Sequence, residues 1–168
     1  MPAQVPESVD AWRMVSARRG FQGRAPLASL QRLKGLLFDA EGEVAFALEF
    51  DRDSLQVAYV ELRINARLPL QCQRSLTRFE LPVAIVQRLG LIRDEADEAA
   101  MPPGYEALLV PADGYLRPLD LVEDELVLAV PAVPMDPDTP AVELELPPRQ
   151  EDLAQAGPFA ALAALKKN

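Results

Sequence analysis

The sequence predicts an α+β fold: a mostly antiparallel sheet flanked by helices, then a disordered proline-rich acidic linker and a short C-terminal helix. Three observations carry that expectation. Apolar residues alternate with a period of two through the middle of the chain, from Val44 to Ile85. Apolar residues at helical spacing flank this region on both sides. After Val130, six prolines punctuate a stretch rich in acidic residues, where no packed core can form.

In chain order, Asp10 is placed to N-cap a first helix to about Arg19, with Trp12 and Val15 on one side. Phe21-Gln22-Gly23 breaks it and reads as extended. Pro26 suits the first turn of a second helix, with Leu27, Leu30, Leu33 and Leu37 at helical spacing. From Glu43, the residues Val44, Phe46, Leu48 and Phe50 switch to the strand period, and Asp51–Ser54 reads as a turn. The clearest strand follows. Val60, Leu62, Ile64, Ala66, Leu68, Leu70 and Cys72 point one way; Glu61, Arg63, Asn65, Arg67 and Gln71 point the other. Gln73–Thr77 turns the chain, and Phe79, Leu81, Val83 and Ile85 return as the partner strand, with Pro82 outward or at an edge.

Asp94–Ala100 is an acidic loop or short exposed helix. Tyr105–Val110 and Tyr115–Leu119 read as short strands around the turn Ala112-Asp113-Gly114. Asp120 then caps a helix that Pro131 ends at Val130, with Val122, Leu126, Ala129 and Val130 as its apolar stripe. The organisation is a domain over residues 8–130, a flexible linker over 131–156 and a docking helix over 157–168.

Composition excludes more than it selects. The 168 residues contain no histidine, which removes Ser-His and Cys-His nucleophile pairs, the commonest general base and every histidine-containing metal site. No P-loop, G-x-G-x-x-G or G-x-S-x-G occurs. No apolar run approaches the roughly 20 residues of a membrane span. Met1–Asp10 lacks the pattern of a signal peptide, and a single cysteine suits a reducing compartment, so a cytoplasmic protein is expected. No catalytic residue, metal ligand set, cofactor or small-molecule substrate is assigned, and the expected mode of action is binding.

The net charge of −9 is unevenly spread: +3 over residues 1–93 and −12 over 94–168. Arg63, Arg67 and Arg78 occupy non-core positions of adjacent strands, and Arg74 lies in their turn, an arrangement that either grips phosphates or forms a solvated face balanced by Glu61 and Glu80. Glu123, Asp124 and Glu125 either bind a cation or a basic protein, or simply favour the start of an exposed helix. In the tail, Phe159, Leu162 and Leu165 form an apolar edge followed by Lys166 and Lys167. This edge docks into a partner's groove or folds back on the domain. Cys72 closes the core face of the long strand and reads as a small buried hydrophobe.

These pieces, in this order, resemble the YceD family of large ribosomal RNA subunit accumulation proteins. The resemblance is carried by Phe21-Gln22-Gly23, Cys72-Gln73-Arg74 with Phe79, and Pro102 with Tyr105-Glu106. Its most specific parts are the Asp120–Pro131 segment, which contains V-E-D-E-L, and Pro158-Phe159-Ala160 with Leu162, Leu165 and Lys166. It implies a role in accumulation of large-subunit (23S) ribosomal RNA and no catalytic reaction. Many relatives carry C-x-x-C at the hairpin, some with further ligands after the helix. Ser75 and Met135-Asp136 stand in those positions here, so a metal role is not carried over. Two partners fit: large-subunit ribosomal RNA on the arginines, or a basic ribosomal protein or assembly factor on the acidic C-terminal part. A chain at −9 is repelled by RNA at long range, which leans the main energetic contact towards protein.

Overall fold

The structure, a computed structural model, describes residues 5–141. Its centre is a five-stranded sheet ordered β2-β3-β4-β5-β6, with β2 Gly20–Pro26, β3 Glu43–Arg52, β4 Ala58–Gln71, β5 Arg78–Ile92 and β6 Glu106–Leu109. The first four strands pair antiparallel in sequence order, and β6 joins β5 parallel, Leu89 opposite Glu106. The expected antiparallel α+β architecture is therefore present, with one parallel pair at the edge.

Alternation makes this sheet two-faced. Val44, Leu48, Val60, Leu62, Ile64 and Leu68 are each 0% exposed on one face, while Arg63, Asn65 and Arg67 are exposed on the other. The helices cover the apolar face. α1, Ala11–Ala17, is capped by the Asp10 carboxylate, which accepts from the Arg13 N–H at 2.9 Å. It buries Val15 against the core and ends in left-handed Arg18. Just before it, β1 (Val9–Asp10) pairs with β7 (Tyr115–Leu116).

Elsewhere the boundaries shift. The helix expected from Pro26 is broken into a 3-10 turn, Leu27–Ser29, and one α turn, α2 Gln31–Lys34, with Leu30 extended between them. Leu27, Leu30 and Leu33 are still buried. After α2, the Phe38 N–H donates to the Pro69 carbonyl alongside β4. α3, Pro118–Ala129, starts two residues before Asp120 because Pro118 fills its first position, where a missing N–H costs nothing. β6 and β7 do not pair with each other across their turn, since each has another partner.

The segment after α3 needs a larger correction. Pro131–Ala141 does not extend away as a linker. It returns to the β4–β5 turn, where the Gln73 N–H donates to the Pro134 carbonyl at 2.9 Å and Arg74 Nη1 to the Thr139 carbonyl at 2.6 Å. The rest of the expected linker, 142–156, and the expected helix, 157–168, lie outside the described residues. No described helix is long and apolar enough to cross a membrane.

Candidate binding face

The outer face of the sheet is built by parity. Arg63 and Arg67 are on the same side of β4 at i, i+4, about 13 Å apart along an extended strand. Register puts Arg78 of β5 on that side too, opposite Gln71. Arg74 leaves the face, because its guanidinium is spent on the Thr139 carbonyl. The same register adds two arginines that the sequence reading did not single out. Arg24 of β2 lies opposite Ala45, which lies opposite Asn65; Arg88 of β5 lies opposite Glu61. Between them are small side chains, Ala45, Ala47 and Ala84, with Val86 67% exposed.

Each arginine is anchored to a carboxylate. Glu61, only 8% exposed, takes Arg63 Nε at 2.9 Å on one oxygen and Arg88 Nε at 2.9 Å on the other. These two guanidinium groups, Arg88 first, hold its carboxyl below the ordinary glutamate range. Arg78 Nε donates to Asp39 at 2.6 Å, and Arg24 Nη1 to Glu43 at 2.6 Å. Arg67 is the loosest, 3.8 Å from Glu80 with a 73% exposed side chain. Exposed pairs of this kind contribute little to stability and can exchange partners.

One end of the face carries aromatics. Tyr59, on the same side of β4, has its ring 5.6 Å from that of Tyr105, and the Arg88 guanidinium is 5.5 Å from the Tyr59 ring. The Tyr105 hydroxyl donates to Asp53 at 2.8 Å. Burial first, then this bond, raises the phenol above its usual range. Met101 crosses β5 here because residue 90 is glycine: a Cβ on Gly90 would sit 2.4 Å from the Met101 sulfur.

The acidic triplet is divided. Glu123 is 7% exposed and turned inward: its Oε1 accepts the N–H groups of Arg32 at 2.7 Å and Leu33 at 3.2 Å, and its Oε2 accepts Arg32 Nε at 3.1 Å. It caps α2 from a different helix. Asp124 is bound to the same guanidinium. Glu125 is half-buried, and desolvation, with Glu106 and Asp124 nearby, raises its carboxyl above the ordinary range. Phe159, Leu162, Leu165, Lys166 and Lys167 lie outside the described residues.

Cys72 is buried, as expected of a small hydrophobe, but its surroundings are polar. The sulfur accepts from the Asp136 N–H at 3.4 Å. The Ser75 hydroxyl, then this N–H, then those of Ser75 and Arg74 bring the thiol down to about 6. The hairpin tip and the segment after α3 thus meet around one sulfur. Among the described residues, no group of three or more Cys, Asp or Glu is placed to hold a metal.

The sequence matches proteins already known. A family model, that of the large ribosomal RNA subunit accumulation protein YceD, matches residues 60–166. That span takes in the β4–β5 hairpin with its arginines, α3 and the segment that returns to Cys72. The protein of the same name from Haemophilus influenzae is 26% identical over 171 aligned residues, covering 98% of this chain and 97% of its own. No solved structure matches. The chain belongs to the YceD family.

Proposed function

We propose that the protein is a non-enzymatic cytoplasmic factor of ribosome biogenesis that supports synthesis, processing or stability of large-subunit (23S) ribosomal RNA. The family's name supplies the process. The observation that carries the contact is the open outer face, where Arg24, Arg63, Arg67, Arg78 and Arg88 surround small side chains on a rigid sheet. A guanidinium has five donors, and the anchoring carboxylates leave several of them facing solvent. With Tyr59 and Tyr105 at one end only, the face suits phosphates along its length and base stacking at that end. Because the chain as a whole is acidic, binding rests on this local patch and is steeply salt-dependent.

A second reading, an adaptor for a basic ribosomal protein or assembly factor, draws on the exposed apolar side chains Leu128, Val133 and Met135, which lie within the acidic C-terminal part. The tail residues Phe159, Leu162, Leu165, Lys166 and Lys167 would add its grip, with Asp124 and Glu125 nearby; Glu123 is already occupied. Titrating large-subunit ribosomal RNA against the full chain and against Arg63→Ala/Arg67→Ala separates the two. The RNA reading expects weaker binding and a flatter salt dependence in the variant; identical affinity and slope would leave the adaptor reading standing.

A further inference from the structure

A depression of about 690 Å³ lies on the outer face, between the entry to β3 at Glu41–Glu43 and the β4–β5 pair. That volume is within the roughly 300–1,000 Å³ of small-ligand sites. Asn65 and Arg67 of β4 line it, with Ala84 and Pro82 opposite them on β5 as its apolar surface. Glu43 and Glu80 line it as well. Asn65 is the residue there that the fold does not call for. It is exposed on β4, the middle strand of the five, opposite Ala45 on one neighbour and Ala84 on the other. Asparagine is depleted in strands, and two alanine neighbours give it little to pack against. A residue that breaks a local rule without a packing gain points to function.

We propose, building on the RNA reading of this face, that the depression takes one unpaired adenine nucleotide and that Asn65 reads its base. A carboxamide carries an acceptor and a donor group side by side, and adenine presents the matching N6–H donor and N7 acceptor on one edge. Arg67 is two residues on, about 7 Å along the strand on the same side, and is placed to take the phosphate. Its side chain is 73% exposed, and its ion pair with Glu80 is long, at 3.8 Å. The carboxylates of Glu43 and Glu80 accept from an exocyclic amino group and repel carbonyl oxygens, which disfavours uracil. In a duplex, the same edge of adenine faces the deep, narrow major groove of A-form RNA, which side chains cannot read, so the base must be unpaired.

Fluorescence anisotropy of the full chain with labelled oligoadenylate, oligouridylate and an RNA hairpin duplex tests this. Oligoadenylate should bind roughly tenfold more tightly than oligouridylate or the duplex. Asn65→Ala should bring oligoadenylate down to the affinity of oligouridylate with the salt dependence unchanged, because no phosphate contact is lost. Asn65→Thr, a better strand former without the amide, should do the same and guards against a folding defect. Gln22→Ala removes an exposed amide on β2, two strands from β4 and outside the depression, and should keep the preference. Equal binding of the two oligomers by the parent, a duplex bound as tightly as oligoadenylate, or a preference that survives both Asn65 variants would overturn the proposal and leave the RNA reading of the face standing. Failure of every RNA to bind, large-subunit ribosomal RNA included, would overturn both.

Discussion

Removing the Glu123 carboxylate should cost far more than an acidic residue on an outward helix face would. In Glu123→Ala, the backbone N–H groups of Arg32 and Leu33 lose their acceptor, and that of Leu33 is buried. α2 is a single turn with no side-chain cap of its own, so nothing replaces it. Hydrogen bonds to a charged group contribute roughly 1.5–3 kcal/mol each, and an orphaned buried donor costs about 1–3 kcal/mol. The sum, after partial relaxation, is about 3–5 kcal/mol, a large part of the 5–15 kcal/mol typical of a domain. Glu123→Gln keeps one acceptor oxygen and should lose about half as much. Arg32→Ala removes only a guanidinium whose side chain is 55% exposed and should cost much less than either. Urea unfolding of the full chain measures all three. A loss below about 1 kcal/mol for Glu123→Ala would refute the assignment of Glu123 as the cap of α2.

Three further outcomes are expected. The lowered Cys72 thiol favours the thiolate in the folded state, so its contribution is complete above the ordinary thiol range and fades as pH falls through about 6. With no histidine in the chain, the melting temperature should rise between pH 6 and 9, and Cys72→Ala should flatten that rise; an unchanged slope would contradict it. Protein purified without chelator should hold no stoichiometric zinc by elemental analysis, because Ser75 stands where a second thiolate would be needed; about one zinc per chain would overturn this. Deleting residues 150–168 should leave the melting temperature nearly unchanged while reducing recovery of ribosomal components from lysate; a fall of many degrees would place that segment in the domain's own core.

Much of this was legible because period-two alternation is a local signal. Val60 to Cys72 fixed the two faces of β4, and with them the placement of Arg63 and Arg67. Arg88 was missed because the returning strand was read only to Ile85, whereas β5 runs to Ile92; carrying the parity of Arg78 five steps further finds it. Arg24 was missed because a two-glycine strand shows weak alternation. The inward turn of Glu123 was not legible, since its partners, Arg32 and Leu33, are some ninety residues away. Nor was the return of Pro131–Ala141 to the hairpin: proline and acidic composition reads as a linker, and the segment is held to the hairpin through its own backbone groups, which leave no pattern in its side-chain types.

The central claim, that an arginine-bearing sheet face serves large-subunit ribosomal RNA, is tested most directly in cells lacking the gene. Complementation with the parent chain should restore the ratio of large- to small-subunit ribosomal RNA, while Arg24→Ala/Arg67→Ala, produced at equal level and with unchanged melting temperature, should not. These two arginines sit outside the Glu61 cluster, so their loss leaves the sheet intact. Full restoration of the ratio by the variant would contradict the account.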